Sequence, residues 1–170
     1  VTPNADKSGV VLQGMSPKSA FLIDNISIID CTEHPGEVHC MPTSTQNTTE
    51  EKNYVLNGDF ESSTNPVPTS WHKNCAEGGI IETVNTGSGG SLHAARQKTI
   101  GTEIGHCLYQ YNDLALVKYH DYVVSATVKN ELTTPASLKI WMRNNPNNAG
   151  SEDATFTHTI TDQNWSTLSS

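Results

Sequence analysis

An all-β fold is predicted by three features of this 170-residue sequence. Its composition is dominated by 20 Thr, 16 Ser and 15 Asn, of which Thr favours strands and Ser and Asn favour turns. Strand-like segments recur roughly every 10–15 residues between Gly, Asn and Pro turns, and several alternate apolar and polar side chains with a period of two. Long stretches of Ala, Glu, Lys and Leu are absent from the sequence. We therefore expect an antiparallel β-sandwich rather than a helical bundle.

The predicted strands follow one another along the whole chain. Two of them, rich in Val, Leu and Ile, come first, and an SPKS turn lies between them. After a polar segment, a second body begins at Tyr54, where turns rich in Gly, Asn and Pro separate the strands. The predicted strands span residues 9–15, 20–30, 53–62, 78–85, 91–99, 105–114, 119–130, 136–144 and 153–161.

Period-two alternation assigns side chains to the two faces of a strand. Trp141, between Lys139 and Arg143 in the pattern, is expected on the more polar face of its strand. One dry face and one wetter face on each strand is the pattern that a two-sheet sandwich requires. The residues expected to face the core are Tyr109, Tyr111, Tyr122, Val124, Ala126, Val128, Leu138, Ile140 and Met142.

The charge balance excludes several classes of function. Ten Lys and Arg against 18 Asp and Glu give a net charge of −8, and the two arginines, Arg96 and Arg143, are far apart. Nucleic-acid binding needs clustered basic residues, so we expect no nucleic-acid partner. No apolar run approaches the ~20 residues that span a bilayer, so no membrane insertion is expected. The first residues lack both Met and an apolar signal core, which suggests a mature chain or part of a longer one.

The four cysteines favour disulfides. None belongs to a C-x-x-C motif, so neither a redox site nor a ribbon-type zinc site is indicated. Of the three possible pairings, we favour Cys31–Cys40, which closes a short loop, together with Cys75–Cys107. The alternative is a metal site in the CTEHPGEVHC segment, with the ligands Cys31, His34, His39 and Cys40.

Potential glycosylation sites support an extracellular protein, secreted or at the cell surface. N-x-S/T acceptors occur at Asn25, Asn47 and Asn164, and together with an even number of cysteines they favour a secreted N-glycoprotein. Residues 31–52 have the composition of a linker. Its Ser/Thr run at residues 43–49 is a candidate for O-glycans.

Three phrases of the sequence resemble one known family. NYVLNGDFES (53–62) followed by Trp71 is similar to the opening of carbohydrate-binding modules of the CBM4/9/16/22 type. The segment with Gln110 and Tyr122 is similar to a later part of those modules, and NWSTLSS (164–170) to the phrase that introduces their penultimate section. The resemblance implies a jelly-roll β-sandwich. It covers nearly the whole chain apart from the linker.

The order of these phrases is rotated relative to the family. The closing strand that should follow residue 170 is instead similar to DNISIID (24–30), with Asn25 where the family often has a second Asp. We therefore predict three regions. Residues 1–30 supply the closing strands of a jelly roll, residues 31–52 form a Cys-clasped linker, and residues 53–170 form an incomplete jelly-roll body.

An incomplete sandwich exposes strand edges that another chain can pair with. The sequence could be one period of a tandem repeat, a subunit that donates residues 1–30 to a neighbour, or a module that closes on itself through its linker. The first two give copies joined head to tail, and we favour a secreted, glycosylated fibre or surface array built by strand complementation. The alternative is a non-catalytic carbohydrate-binding module of a larger extracellular protein, with polysaccharide as its partner.

Candidate binding residues follow from the same reading. Aromatic faces stack on sugar rings while amides and charges bond hydroxyl groups. The candidate carbohydrate-binding residues are Trp71, Gln110, Trp141 and Arg143.

The resemblance also implies a structural Ca²⁺ near the first and last strands. Asp24, Asp59 and Glu61 offer the oxygen ligands that this ion prefers. No pattern of nucleophile, base and acid stands out among the His, Ser, Asp and Glu residues. We expect no enzymatic activity.

Overall fold

The prediction of an antiparallel β-sandwich is confirmed. A computed structural model describes residue 2 and residues 7–32, 52–63, 66–74, 79–102, 106–143 and 153–170; at 7, 8, 106, 111–113, 143, 153 and 154 only the backbone is described. No helix occurs in these ranges. The strands are β1 (Lys7–Gly14), β2 (Ala20–Asp30), β3 (His72–Asn74), β4 (Gly79–Val84), β5 (Ala94–Thr99), β6 (His106–Leu116), β7 (Tyr122–Asn130), β8 (Ala136–Arg143), β9 (Asp153–Ile160) and β10 (Ser166–Ser169).

The described strands form two five-stranded sheets. Sheet A has the order β3-β6-β1-β8-β9 and sheet B the order β10-β7-β2-β5-β4, and every paired strand is antiparallel to its neighbour. The two N-terminal strands are therefore the central strands, one in each sheet. All of their strand neighbours come from residues 94–143 of the same chain.

The core lies between the two sheets and follows the predicted alternation in β7 and β8. Along β7 the pattern of buried and half-buried residues alternates strictly, as expected for a strand with one face in the core. Burial of these side chains is the main favourable term in the folding free energy. The core side chains of these two strands include Tyr122, Val124, Ala126, Val128, Leu138, Ile140 and Met142.

The alternation along β6 differs from the prediction. Leu108 and Gln110 are buried at 1% and 0% exposure, whereas Tyr109 is only half-buried and lies on the opposite face of sheet A. Tyr111 shares the phase of Tyr109, and its side chain lies outside the described residues. The expectation that Tyr109 faces the core was wrong, because the pattern alone does not fix which phase of an 11-residue strand points inward, and the expectation for Tyr111 stays a prediction.

The segment 53–62 is not a strand. Its backbone turns because Asn57 and Phe60 adopt the left-handed region, with φ of 49° and 57°. The three-residue strand β3 was not predicted, and β5 begins at Ala94 rather than at residue 91.

Candidate functional site

The first candidate site consists of the two positions that β1 and β2 occupy between their neighbouring strands. We call each of these positions a slot. β1 pairs with β6 and β8, and β2 pairs with β5 and β7. Their core side chains have at most 1% exposure, and burial of six such side chains is worth on the order of 10 kcal/mol before the cost of ordering the segment. These side chains are Val10, Leu12, Phe21, Ile23, Ile26 and Ile28.

Residues 53–58 hold the second half of β2 in place. The Asn53 side-chain oxygen accepts hydrogen bonds from the backbone N–H of Ile28 and Val55, both at 3.0 Å, and its amide donates to the carbonyl of Ile26 at 3.0 Å. The N–H of Tyr54 donates to the carbonyl of Ile28 at 3.1 Å. Asn53, the first residue of the NYVLNGDFES phrase, thus has a structural role that the sequence reasoning did not assign to it.

The turn formed by the NGDFE phrase (residues 57–61), called the NGDFE turn below, packs directly on an irregularity in β2. The pairing of β2 with β7 shifts between Asp24 and Ser27, where Asn25 has a φ of 48°. There the N–H of Ile26 donates to the carbonyl of Gly58 at 2.9 Å. A Cβ at position 58 would lie 2.1 Å from the carbonyl oxygen of Ile26, so only Gly fits this contact.

Two of the three predicted calcium ligands meet at one loop, residues 85–93. Asp24 is fully buried and accepts hydrogen bonds from the N–H groups of Asn25 and Ser88, each at 2.7 Å. Burial raises the pKa of Asp24 above its usual range, although these bonds oppose the shift. The loop thereby covers a carboxylate of β2.

Glu61 contacts the same loop from the NGDFE turn. Its Oε1 accepts bonds from the Ser91 hydroxyl at 2.6 Å and from the N–H groups of Leu92 and His93 at 2.7 and 2.9 Å. These bonds lower the pKa of Glu61 to about 2, with the Ser91 hydroxyl as the largest cause. Asp59, the third predicted ligand, is exposed.

The described donors do not form a ready calcium site. Oxygens of Asp24 and Glu61 already accept backbone N–H groups, and the described residues contain no group of three His, Cys, Asp or Glu side chains that could hold a metal ion. The observed bonds instead tie β2, the NGDFE turn and the 85–93 loop together. Calcium binding stays a prediction.

Two of the predicted carbohydrate-binding residues lie inside the molecule. Trp71 is 4% exposed, packs on Phe60 with ring centroids 5.6 Å apart, and donates from its indole N–H to the Asn57 carbonyl at 3.0 Å. Gln110 is fully buried, and its side chain bonds the backbone N–H and C=O of Leu56, both at 2.9 Å. Their polar groups stabilise the NGDFE turn, so the expectation that they line a sugar groove has to be corrected.

A row of rings crosses the outer face of sheet A, the face that points away from the core. The strand registers align His72, Tyr109, Val11 and Trp141 on four neighbouring strands. The His72 and Tyr109 rings stack with centroids 5.5 Å apart, and the Lys139 ammonium lies 4.2 Å from the Trp141 ring centroid.

The centre of this row is more deeply buried than predicted. Trp141 is only 7% exposed, and its buried indole N–H has no hydrogen-bond partner among the described residues. Lys139 is half-buried, so the strand face that was expected to be wetter is largely covered here. Arg143 lies opposite Gly9 on the same face, and its side chain lies outside the described residues.

The predicted glycosylation sites differ in their surroundings. Asn164 is exposed, and its backbone N–H donates to the Asp162 carboxylate at 2.8 Å. Asn25 is exposed too, but its side-chain amide donates to the Ser88 hydroxyl at 2.7 Å. Asn47 and the Ser/Thr run lie outside the described residues, and glycosylation at all three asparagines stays a prediction.

The predicted disulfides fall partly outside the description. Cys31 follows β2 and is half-buried, whereas Cys40 and the two histidines of the clasp lie in the undescribed range 33–51. Cys107 lies opposite Asn74 in the pairing of β3 with β6. Cys75 itself is not described. Both disulfides, and the alternative metal site at the clasp, stay predictions.

Two charged contacts were not predicted from the sequence. The Arg96 guanidinium donates to both carboxylate oxygens of Glu131, at 2.9 and 2.7 Å, and to one carboxylate oxygen of Glu82, at 3.0 Å. Asp30, at 1% exposure, lies 2.8 Å from Nδ1 of His120. No local signal could have found the contacts of Arg96 with Glu131 and of Asp30 with His120, because the partners are 35 and 90 residues apart in the chain. Glu82 is nearer in the chain and lies opposite Arg96 in the pairing of β4 with β5.

Comparisons with known proteins add no identification. Family models, curated proteins and solved structures were compared with this chain, and none gave a significant match. In the described ranges, no helix has the length and apolarity needed to cross a membrane.

Proposed function

We propose that this protein is a structural subunit, or one repeat, of a secreted fibre or surface array whose copies are joined head to tail by β-strand complementation. The observation that carries the proposal is that β1 and β2 are the central strands of the two sheets. A body that lacks them has a gap in the middle of both sheets. Any copy of residues 7–30 that reaches these gaps can form the same contacts.

The ends of the described chain lie close to each other and to one strand. The backbone groups of Ser170 bond those of Val124 in both directions at 3.0 Å, and the Thr2 hydroxyl bonds the side chain of Asp121. Residues 121 and 124 lie at one end of β7. Thr2 and Ser170 therefore both contact the same end of β7.

The same contacts serve closure within one chain. Tyr54 bonds Ile28, and Gly58 bonds Ile26, so residues 53–58 run antiparallel to the end of β2 and the linker joins them as a long hairpin loop would. Closure in one chain and exchange between copies thus bury the same side chains. Their balance depends on the linker and on protein concentration, as in domain swapping.

Complementation between two defective variants of the full chain tests the proposal. Ile23 on β2 and Val128 on β7 are fully buried and lie opposite each other. Ile23→Asp damages the donated segment, and Val128→Asp damages the slot; each variant alone should fail to fold, because an unpaired charge enters the core. When the two are refolded together, the intact donor of the second should complete the intact body of the first.

The readout is cooperative unfolding together with mass by light scattering. We expect the mixture to contain a folded hetero-oligomer and the wild-type chain to form a concentration-dependent ladder of oligomers. Ile23→Asp refolded with itself is the matched control. A wild-type monomer at every concentration, combined with no rescue in the mixture, contradicts strand complementation.

The proposal includes a secreted location, N-glycans at Asn25, Asn47 and Asn164, and structural calcium bound by Asp24, Asp59 and Glu61. The exposure of Asn25 and Asn164 supports the glycans. For calcium, we expect the midpoint of thermal unfolding to rise on addition of Ca²⁺ and to fall with a chelator. Equal midpoints in the two conditions contradict a bound ion.

A second candidate function, binding of a polysaccharide, is supported by the stacked rings of His72, which is exposed, and Tyr109, which is half-buried, on the outer face of sheet A. Stacking on such rings is the usual contact with sugars. A glycan array should show saturable binding that Tyr109→Ala and His72→Ala abolish. Trp165→Ala, at a half-buried tryptophan preceding β10, is the control. Absence of binding by the wild-type chain contradicts this candidate.

A further inference from the structure

The four edge strands of the sandwich are protected to different degrees. β3 has three residues and β10 has four, so neither offers a long ladder. β4 is contacted at its edge by the segment before β3, because the N–H of Thr83 donates to the Pro66 carbonyl at 2.6 Å. β9 has eight residues and pairs only with β8 among the strands that the structure describes.

β9 has an irregularity in its pairing with β8 between Asp153 and Phe156, but from Phe156 to Ile160 the pairing is regular and the strand lacks the usual protection of an edge. Natural edges are commonly blocked by Lys, Pro or inward-pointing charges. DATFTHTI contains no Lys or Pro, and Thr, Phe and Ile have high β-propensity. Thr155, Thr157 and Thr159 are exposed on one face, while Phe156 and His158 are half-buried on the other with ring centroids 5.1 Å apart.

From these features we infer that β9 is a lateral docking edge that pairs antiparallel with β9 of a second copy, about a two-fold axis at Thr157. The two copies of sheet A then form one continuous sheet across the dimer. In an antiparallel pair, directly opposite residues have their side chains on the same face of the sheet. When the two strands are identical and related by a two-fold axis, the residue on the axis lies opposite its own copy. Thr157 is the residue for which the strand is most nearly self-complementary.

The chemistry of the resulting pairs supports this register. Thr157 lies opposite Thr157 of the second copy, and Thr155 opposite Thr159, so hydroxyl-bearing, β-branched side chains face one another. On the inner face Phe156 lies opposite His158, which repeats between copies the aromatic contact found within the strand. No pair between residues 154 and 160 brings like charges together.

This contact is independent of strand complementation, because β9 lies outside the slots of β1 and β2 and is available in a chain that has closed on itself. A single strand pair is a small interface, so the isolated dimer is weak and reversible on dilution. In an array with many copies, repeated weak contacts would add through multivalency and join neighbouring fibres side by side.

Cysteine cross-linking of the full chain tests the register. Under mild oxidation we expect Thr157→Cys to give a disulfide-linked dimer, since directly opposite residues meet the distance that a disulfide requires. Thr155→Cys should not link to itself, but it should link to Thr159→Cys in a mixture. Peptide mass spectrometry distinguishes these bonds from those of the native cysteines. The exposed Thr133→Cys, in the turn after β7, is the control.

Sedimentation measures the dimer without a covalent bond. Thr157→Lys places two cations opposite each other and should raise the dimer dissociation constant at least about tenfold, whereas Thr133→Lys should leave it unchanged. Both positions are exposed, so the midpoint of unfolding serves as a check that each variant folds. Thr157→Cys that links no better than Thr133→Cys, or equal dissociation constants for the two lysine variants, overturns the inference. Neither result bears on whether Ile23→Asp, with its damaged donor segment, and Val128→Asp, with its damaged slot, rescue each other.

Discussion

β2 and β9 show how differently two strands of one sandwich can be used. β2 has 11 residues, and all but Asn25 and Ser27 are buried, because the strand lies between two neighbours and under the NGDFE turn. β9 has eight residues, and of its described side chains only that of Ile160 is buried. The first strand comes from the N-terminal segment and the second from the body. Position in the sheet, rather than position in the chain, therefore determines which segment the fold depends on.

The largest expected effect tests this dependence directly. Phe21→Ala on β2 should lower the free energy of unfolding by about 3–5 kcal/mol, because Phe21 is fully buried and its loss leaves a cavity. Phe156→Ala on β9 should cost about 1–2 kcal/mol, since that ring is only partly buried against the core. Urea unfolding of both variants gives the two values. Equal losses would show that β2 is no more central to stability than the edge.

The next effect concerns the contact that fixes β2 to the NGDFE turn. Gly58→Ala should destabilise the protein by about 2–4 kcal/mol, because the new Cβ would meet the Ile26 carbonyl at 2.1 Å and backbone must move. Gly89→Ala is the matched control. Gly89 also has a positive φ, of 59°, but a Cβ there meets nothing within 4 Å, so its cost should be about 1 kcal/mol. Thermal unfolding of the two variants compares a close approach with backbone strain alone.

A third prediction concerns acid stability of the same region. The folded-state pKa of Glu61 is lowered from 4.5 to about 2, so its ionised form stabilises the folded state above pH 4.5, and this contribution is lost as the pH falls through about 2. Glu61→Gln should lower stability at neutral pH and flatten the decline between these two values. Unfolding measured from pH 7 to pH 2 checks this, with Asp59→Asn as the exposed neighbouring control. A wild-type slope retained in Glu61→Gln would mean that other carboxylates cause it.

The sequence allowed much of the fold to be predicted, because alternation and turn residues are local signals. The bounds of β2 were correct, and the core faces of β7 and β8 followed from their period of two. The predicted phase of β6 and the predicted strand at 53–62 were wrong. Both depend on the side-chain amides of Asn53 and Gln110, which bond backbone groups of distant segments.

The candidate site was less predictable, for a related reason. The resemblance predicted that the phrase NGDFE and the segment DNISIID belong to one module, which stays a prediction; the structure shows that Gly58 contacts Ile26. Whether Trp71 or Gln110 faces outward depends on which turn folds over it, and this information lies in other segments of the chain. The exposed edge of β9 could not be recognised before the order of strands in sheet A was known.

The smallest expected effect lies on β8, which pairs with β1 on one side and β9 on the other. Lys139→Met keeps a long apolar side chain but removes the cation above the Trp141 ring, so we expect a loss of about 0.5–1 kcal/mol in the free energy of unfolding. Lys129→Met, at a half-buried lysine of sheet B, is the matched control and should have a smaller effect. If the outer face of sheet A binds a polysaccharide, Lys139→Met should also change binding while folding is nearly intact. A loss above about 2 kcal/mol would instead mean that Lys139 supports the packing of β1 against Trp141. In that case β8, like β2, would be a strand on which the stability of the fold depends, in contrast to the edge strand β9.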